Sequence, residues 1–308
     1  MAAAPMTPAR YRHITLGALL ALGAIVLTGA AVRLTGSGLG CSDWPACEEG
    51  TFVPDQGGIH SAIEFGNRVF SIVPAVAVAL AVWGARRRLP YRPDLVWWAW
   101  GLVAGVAVQI IVGAVVVRTD LLPSAVIVHF LLSMVLLWNA VVLHHRAATA
   151  HRARAVPRVP SSIVNVGRAM VAVAAYVLVS GTIVTGAGPH SGDATDPERL
   201  PYFLPDVVRL HSGGVIVLCA LTVATVMWAW HRRVVDPVRR GSLIVLGAIA
   251  VQAAIGYIQY FTGVPALLVA AHILGAMLVW VAVLQFHLNL LDQVESPVVR
   301  EPEAVGAQ

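Results

Sequence analysis

The chain has 308 residues, of which 58% are hydrophobic and only 12% are charged, and its formal net charge is +5. Soluble globular proteins carry about 25% charged residues, so this composition predicts that most of the chain lies in lipid. The positive charge does not indicate nucleic-acid binding, because the basic residues, all of them arginines, stand in short segments between long apolar runs. That distribution is typical of the loops of a membrane protein.

Eight apolar runs are long enough to cross a bilayer as a helix, which needs about 20 residues. The first run is too long for the core of a signal peptide, so we expect it to be retained as a helix. The pattern predicts an all-α integral membrane protein of eight transmembrane helices. The predicted spans are 14–33, 62–84, 95–117, 124–144, 165–187, 207–230, 242–261 and 265–288.

The positions of the arginines predict the orientation of the chain. Fourteen of the 21 lie in the N-terminal tail or in three of the loops. Because arginine-rich loops stay on the cytoplasmic side, we expect both termini in the cytoplasm and the protein in the cell (plasma) membrane. The loops predicted to lie outside are 34–61, 118–123, 188–206 and 262–264.

An internal repeat relates the two halves of the chain. The third and fourth spans match the seventh and eighth at a constant offset of 143 residues. Four spans return the chain to the same face, so the halves are parallel repeats about an axis along the membrane normal. We expect two pseudo-symmetric four-helix bundles, 1–150 and 151–308. The identical pairs are Gln109 and Gln252, Gly113 and Gly256, His129 and His272, and Met134 and Met277.

Three of the eleven histidines lie inside apolar spans: His129, His211 and His272. Each stands about five to seven residues from the outer end of its helix, roughly 8–10 Å deep at 1.5 Å rise per residue. Lipid offers an imidazole no partner, so each ring either bonds to a neighbouring carbonyl or binds a ligand. Three rings at one depth favour ligand binding. Imidazoles on facing helices are typical axial ligands of haem iron.

The repeat predicts two unequal sites. His211 and His272 form a pair in the second half, whereas in the first half Asn67 stands at the position equivalent to His211, opposite His129. Closed metal sites are typical of electron transfer or structure, and sites of chemistry keep an open position. We therefore expect a cofactor in the second half and the chemistry in the first.

Glu64 is the only carboxylate within a predicted span, and intramembrane acids are usually functional. Arg68 follows it by four residues, so a structural ion pair on one helical face is the alternative interpretation. We favour a catalytic role for Glu64, because His129 is expected to face the same pocket.

Cys41 and Cys47 lie in the long first outer loop. The outer compartment is oxidising, and a disulfide is sterically easy at this spacing. A structural staple and a redox role both fit the pair. Cys219, in the sixth span, is expected to be a buried packing residue.

These features together resemble the haem A synthases. The segment 33–39 (Arg-Leu-Thr-Gly-Ser-Gly-Leu) followed by 41–47 (Cys-Ser-Asp-Trp-Pro-Ala-Cys) is similar to the first-loop signature of that family. The segment 64–68 (Glu-Phe-Gly-Asn-Arg) is similar to its Glu-x-x-His-Arg motif. The remaining helix histidines of the family correspond to His129, His211 and His272. The resemblance covers essentially all eight spans.

The resemblance implies an enzyme that oxidises the C8 methyl group of haem O to a formyl group, giving haem A for terminal oxidases. It implies haem b as a cofactor on His211 and His272, haem O bound in the first half, and Glu64 near the methyl group. It also implies a haem O synthase as the supplier of the substrate and a quinone or another electron acceptor. Oxygen and water both stand as sources of the formyl oxygen.

The chain departs from the family motif at Asn67, where the family has a histidine. His60 lies on the same helical face and is one replacement ligand, and ligation by His129 alone is the other. We favour His129 alone, because His60 is nearer the aqueous edge. Asn67 is then expected to hydrogen-bond the substrate, next to Arg68.

Three other functions compete with this interpretation. A cytochrome b type electron carrier needs haems at both faces, whereas the intramembrane histidines cluster near one. A quinone-linked thiol oxidase commonly needs a second cysteine pair, and only Cys219 remains. A transporter is expected to carry broken helices and polar groups near the midplane, where Gln109 and Gln252 are weak candidates.

Overall fold

The computed structural model describes residues 6–48, 51–54, 58–151, 153–190, 192, 198–234 and 236–295. Within these ranges the chain forms long helices and one short pair of strands. The helices are α1 (Pro8–Leu34), α2 (Ile59–Phe70), α3 (Ile72–Arg87), α4 (Pro93–Arg118), α5 (Pro123–Arg146), α6 (Ser161–Ala187), α7 (Leu204–His231), α8 (Asp236–Phe261) and α9 (Ala266–Asn289). The strands are β1 (Ala153–Pro157) and β2 (Leu291–Glu295).

The prediction of eight membrane spans is confirmed. Over the described residues, eight helical segments of 24–29 residues are apolar and long enough to cross a bilayer, with α2 and α3 together forming the second. Large apolar side chains such as Leu267 and Trp97 are exposed on the outside of the bundle, which is the surface that lipid covers. The chain is therefore a multi-pass integral membrane protein.

The helices extend beyond the predicted spans, and this corrects one expectation. Asp94 and Asp206 lie in the first turns of α4 and α7, so Glu64 is not the only carboxylate in a membrane-length helix. Hydropathy alone ends a span at the first charge. A helix continues into the interface, where its ends find water or side-chain partners.

The second span is interrupted between α2 and α3 at Ser71. Pro74 has no backbone N–H to donate to the carbonyl four residues earlier, and its ring crowds that carbonyl. Ser71 closes the end of α2 instead, with its N–H donating to the carbonyls of Asn67 and Arg68 at 3.1 and 3.2 Å. The interruption thus lies directly after the segment that carries Glu64, Asn67 and Arg68.

Each set of four spans packs as a ring. In the first, α1 contacts α2, α3 and α5, and α4 contacts α3 and α5; in the second, α6 contacts α7 and α9, and α8 contacts α7 and α9. The second span and α5 therefore stand at opposite corners of one ring, as α7 and α9 do in the other. The two rings meet where α5 contacts α9 and α6, and where α1 contacts α9. The same pairings recur in both rings, while an exact pseudo-twofold relation stays a prediction.

Hydrogen bonds cross the contact between the rings, and one of them lies in its buried core. The buried indole N–H of Trp280 on α9 donates to the carbonyl of Met134 on α5 at 3.0 Å. Met134 and Met277 are both buried in the shared core. The segments predicted as halves, 1–150 and 151–308, thus pack on one continuous apolar core, and the division into halves stays a prediction.

We call the end of the bundle that carries the loop between α1 and α2 the disulfide end, and the end at which α1 begins and α9 finishes the terminal end. At the terminal end β1 pairs antiparallel with β2, so the segment after α5 is joined to the segment after α9. The apolar pattern gave no signal for this pair.

Two arginines at the terminal end are buried, although the sequence pattern predicted loop charges there. Arg88 is 0% exposed and Arg92 is 2% exposed. Arg88 donates to the carbonyls of Thr149 and Ala150 at 2.5 and 2.9 Å, and Arg92 pairs with Asp94 at 2.7 Å. Both guanidinium groups thereby satisfy carbonyls just beyond the end of α5, where a helix leaves acceptors unpaired. They stabilise the turn that leads from one ring to the other.

Candidate functional site

Two histidine rings meet inside the second ring of helices, near the disulfide end. His211 lies seven positions after the first residue of α7, and His272 lies six positions after the first residue of α9. Because α7 and α9 occupy opposite corners, both side chains point into the interior between them. Their ring centres are 6.4 Å apart, with an angle of 67° between the ring planes.

Glycines on the other two helices make room for these rings. A Cβ atom on Gly181 of α6 would lie 3.0 Å from Cε1 of His211, and one on Gly256 of α8 would lie 3.0 Å from Cε1 of His272. Carbon atoms prefer a separation of about 3.5–4.0 Å. Each ring therefore rests against a helix backbone that only glycine leaves open.

The distance between the two rings suits a single metal ion with two axial imidazoles. A metal–imidazole bond is about 2 Å long. The ring centre lies about 1 Å behind the nitrogen, so two such rings have centres about 6 Å apart. The Nε2 atoms of His211 and His272 take part in none of the hydrogen bonds among the described residues. This donor set fits haem iron, which two histidines from facing helices can hold.

Other metal sites have less support. The described residues contain no group of three or more His, Cys, Asp or Glu side chains placed to bind one metal ion. A bis-histidine site needs only two protein ligands, because the macrocycle supplies the others.

His129 occupies the corresponding place in the first ring of helices. It lies six positions after the first residue of α5, and a Cβ atom on Gly113 of α4 would lie 3.5 Å from its Cε1. The carbonyl of His129 accepts hydrogen bonds from Gln109 Nε2 and from Ser133 Oγ, both at 3.1 Å. Gln252 Nε2 donates in the same way to the carbonyl of His272, at 2.8 Å.

Asn67 replaces a second histidine in this ring. It is half-buried on α2, at the corner opposite α5, and its Oδ1 atom is buried without a hydrogen-bond partner among the described residues. A buried amide oxygen without a partner is uncommon. The first ring therefore carries one histidine and one amide at the two corners where the second ring carries two histidines.

Glu64 forms the ion pair that the sequence left as an alternative. Its carboxylate is 5% exposed, and Oε1 accepts from Arg68 Nη2 at 2.5 Å. Oε2 accepts from the backbone N–H of Cys41 at 2.8 Å. Both oxygens therefore have protein partners, and Glu64 makes no hydrogen bond to His129. A catalytic role for Glu64 stays a prediction.

Arg68 connects this carboxylate to the loop between α1 and α2. Its Nη1 donates to the carbonyls of Asp43 and Ala46 at 2.9 and 2.8 Å. Both carbonyls belong to the loop that the disulfide between Cys41 and Cys47 closes. The disulfide loop is thus held on α2 by the Glu64–Arg68 pair, which explains why this pair is buried at the edge of the bundle.

His60, the alternative ligand that the sequence offered, lies in the first turn of α2. It is exposed, and its Nδ1 is 2.9 Å from Ser37 Oγ. Gly40 lies so close to the backbone of His60 that no Cβ would fit there. These contacts give His60 a place in anchoring the loop to α2, next to the aqueous edge.

The structure also ties the loops of the two rings together, which sequence reasoning missed. Arg33, at the end of α1, donates from Nε to the carbonyl of His190 at 2.7 Å and from Nη2 to that of Thr185 at 3.3 Å. His190 Nε2 is 2.8 Å from the carbonyl of Val264. A lone arginine at a helix end gives no signal for such partners, because they lie more than 150 residues away.

Two histidines outside these sites contact side chains near the terminal end. His144 Nδ1 is 3.0 Å from Thr15 Oγ1, and His145 Nδ1 is 3.1 Å from Gln285 Nε2. Among the described residues, the His211–His272 pair is the only contact between two histidine rings. Cys219 is a free cysteine and is half-buried rather than buried, so that expectation was wrong in degree. Among the described residues of the terminal end, no two histidine rings are in contact.

A family model described as cytochrome oxidase assembly protein matches residues 12–59 and 58–284. The chain belongs to this family. The match spans all eight membrane helices, so the family covers both sites described above.

Three curated relatives of the cytochrome oxidase assembly protein family are each named heme A synthase. The protein from Geobacillus thermodenitrificans is 33% identical over 98 residues, which are 32% of this chain and 30% of that protein. The one from Exiguobacterium sp. is 31% identical over 132 residues, 42% of each chain. The one from Lysinibacillus sphaericus is 29% identical over 109 residues, 35% of each chain. The aligned segments thus span less than half the length of these relatives.

Proposed function

We propose that this protein is a haem A synthase, which oxidises the C8 methyl group of haem O to a formyl group. The observation that carries the proposal is the inequality of the two histidine sites. In one ring of helices His211 and His272 face each other at 6.4 Å, whereas in the other the corner opposite the helix of His129 carries Asn67. A closed pair suits a resident cofactor, and an open site suits a substrate. The names of the curated relatives support the same activity.

The proposed cofactor is haem b, with His211 and His272 as axial ligands to its iron. When bound, this group supplies one-electron transfer. The protein's own part is to hold the two imidazoles apart at the spacing of one metal ion, with Gly181 and Gly256 leaving room for the rings.

The proposed substrate site lies in the first ring. His129 lies on one corner of this ring, and Asn67 offers a buried amide oxygen that has no hydrogen-bond partner among the described residues. Arg68 and the Cys41 N–H hold the Glu64 carboxylate in one orientation. We propose that Glu64 lies near the methyl group and that Arg68 and His60 line the site, with His60 nearest the aqueous edge.

The proposed reaction needs an electron acceptor and a source of haem O. Turning a methyl group into a formyl group with water as the oxygen source releases four electrons and four protons. An acceptor such as a quinone or oxygen must therefore take up the electrons. A haem O synthase is the expected supplier of the substrate, and a terminal oxidase is the expected destination of haem A.

We also propose that the protein lies in the plasma membrane with both termini in the cytoplasm. The arginines at the terminal end support this orientation by the positive-inside rule. The disulfide end then lies in an oxidising compartment, where the bond between Cys41 and Cys47 is maintained.

The test is co-expression with a haem O synthase in a host that makes no haem A, followed by chromatography of the extracted haems. The proposed function predicts a peak of haem A with the wild-type chain and none with the vector alone. The His129→Ala variant, produced at the same level, is the matched control for background oxidation. A folded, haem-bearing protein that yields only haem O and haem B would contradict the proposal.

A further inference from the structure

The three intramembrane histidines differ in what their Nδ1 atoms contact. A histidine that binds a metal through Nε2 carries its proton on Nδ1, and a neighbouring acceptor normally fixes that proton and the ring orientation. His211 has such acceptors: its Nδ1 is 3.1 Å from the carbonyl of Val177 and 3.2 Å from Ser180 Oγ. The Nε2 of His211 is thereby left for a ligand.

His129 and His272 have no such acceptor. The Nδ1 atom of each is buried and has no hydrogen-bond partner among the described residues. Buried polar groups are nearly always paired, since leaving one unpaired costs about 1–3 kcal/mol. Each ring therefore needs an acceptor close by.

An unused acceptor lies beside each of these two histidines. Gln109 Nε2 donates to the carbonyl of His129, and Gln252 Nε2 donates to the carbonyl of His272. In both glutamines the other amide atom, Oε1, is buried and has no hydrogen-bond partner in the part of the chain that the structure describes. In each histidine–glutamine pair, the histidine Nδ1 thus lacks an acceptor and the glutamine Oε1 lacks a donor. This combination occurs in both rings of helices.

The helices hold each amide on the same face as the ring it adjoins. Gly113 follows Gln109 by four residues on α4, and Gly256 follows Gln252 by four residues on α8, so each pair shares one helical face. Those glycines are the ones on which the rings of His129 and His272 rest. In the structure Gln252 Oε1 lies against Gly275, which follows His272 by three residues on α9, and neither glutamine Oε1 is bonded to the ring of its histidine.

We propose that Gln109 and Gln252 are positioning residues whose Oε1, not bonded to the rings in this structure, turns to accept the Nδ1–H of His129 and His272, which leaves each Nε2 free to bind haem iron. The amide nitrogen meanwhile holds the backbone of the same histidine. This inference rests on the proposed haem sites. The acceptor of the Nδ1–H is then a glutamine amide for His129 and His272, whereas for His211 it is a backbone carbonyl.

The test is the midpoint potential of the bound haem b in purified Gln252→Glu and Gln252→Met. Glutamate keeps an acceptor toward Nδ1–H and strengthens it, so the imidazole donates more charge and the potential falls below that of the wild type. Methionine removes the acceptor, so the potential rises, and haem is retained about 10- to 100-fold less tightly. The EPR spectrum of the ferric haem provides a second readout of ring orientation.

Two controls separate this role from a general packing effect. Gln285→Met changes a glutamine on α9 that contacts His145 and Asn289 at the terminal end, and it is expected to leave the potential unchanged. Gln109→Met is expected to leave the haem b potential unchanged and to weaken binding of added haem O about 10- to 100-fold. If Gln252→Glu yields no folded protein, the test is the comparison of the haem b potential in Gln252→Met, which should rise, with that in Gln109→Met, which should not change.

A potential that moves in the same direction in Gln252→Glu and Gln252→Met would overturn the inference, because both variants lose the amide donor to the His272 carbonyl. Unchanged potentials in both would overturn it as well. The proposed haem b site would survive either result. A wild-type protein purified without haem b would instead overturn the proposed function, and this inference with it.

Discussion

The two rings of helices offer a comparison between sites built on the same frame. In the second ring His211 and His272 face each other from opposite corners, 6.4 Å apart. In the first ring His129 stands at the equivalent corner, and the opposite corner holds Asn67, whose buried oxygen has no partner within the described part of the chain. Gln109 and Gln252 make the same bond to the histidine backbone in both.

The two sites differ because Asn67 stands in the first ring at the position that His211 holds in the second ring. Two imidazoles close an axial site, while one imidazole and an amide leave it open. The open site is also the one next to the disulfide loop, which Arg68 and Glu64 hold against α2. We therefore expect perturbations of the second ring to affect the cofactor and those of the first ring to affect the substrate.

Removal of one member of the histidine pair gives the largest expected effect. His272→Ala should lose haem b from the purified protein. Its activity should fall further than the about 10- to 100-fold loss that follows removal of a residue that only hydrogen-bonds a metal ligand. His231→Ala, an exposed histidine at the other end of α7, is the control. The measurement is the absorption spectrum together with haem A production. Retention of a normal bis-histidine spectrum in His272→Ala would break the assignment of the second ring.

Removal of His129 tests the first ring by itself. His129→Ala should keep the haem b spectrum and lose haem A production, whereas His60→Ala should keep most of its activity, since His60 is exposed and bonded to Ser37. Chromatography of extracted haems and the spectrum of the purified protein measure both. The reverse pattern would show that His60 supplies the ligand missing at Asn67.

The Glu64–Arg68 pair tests whether the carboxylate is structural or chemical. Removing one partner of a buried pair costs about 3–5 kcal/mol, so Glu64→Gln and Arg68→Met should each lower thermal stability and loosen the disulfide loop toward proteases. The double variant should lose less stability than the sum of the losses in the two single variants, because the two side chains contact each other. If Glu64 is chemical, activity stays absent in the double variant. Recovery of activity together with stability would assign Glu64 a purely structural role.

The glycines under the rings give the smallest expected effects and sharpen the comparison. Gly256→Ala and Gly181→Ala place a Cβ 3.0 Å from a ring carbon, so they should cost about 1–3 kcal/mol of stability and shift the haem b spectrum. Gly113→Ala meets its ring at 3.5 Å and should be nearly neutral. Gly247→Ala, with nothing within 4 Å, should stabilise α8 by about 0.5–1 kcal/mol. Equal losses in all four variants, measured by thermal unfolding, would contradict ring packing as the cause.

Much of this protein could be read from its sequence because hydropathy is a local property. Eight apolar runs predicted eight spans, and the depth of each histidine followed from counting residues from the end of its run. The break at Ser71 was not predicted, because Pro74 lies inside a run that is apolar throughout. The burial of Arg88 and Arg92 was missed for a related reason: a charged residue near a span end reads as a loop residue whatever its partners are.

The sequence by itself determined the number of spans, the cysteine pair and the histidines that lie at one depth. Only the tertiary structure decided that His211 and His272 face each other, that both oxygens of Glu64 have protein partners, and that Gln109 and Gln252 adjoin the other two histidines. Such pairings depend on how each helix is rotated about its axis and which corner of the ring it occupies. Side chains from many helices set both by packing together, and no single segment records the result.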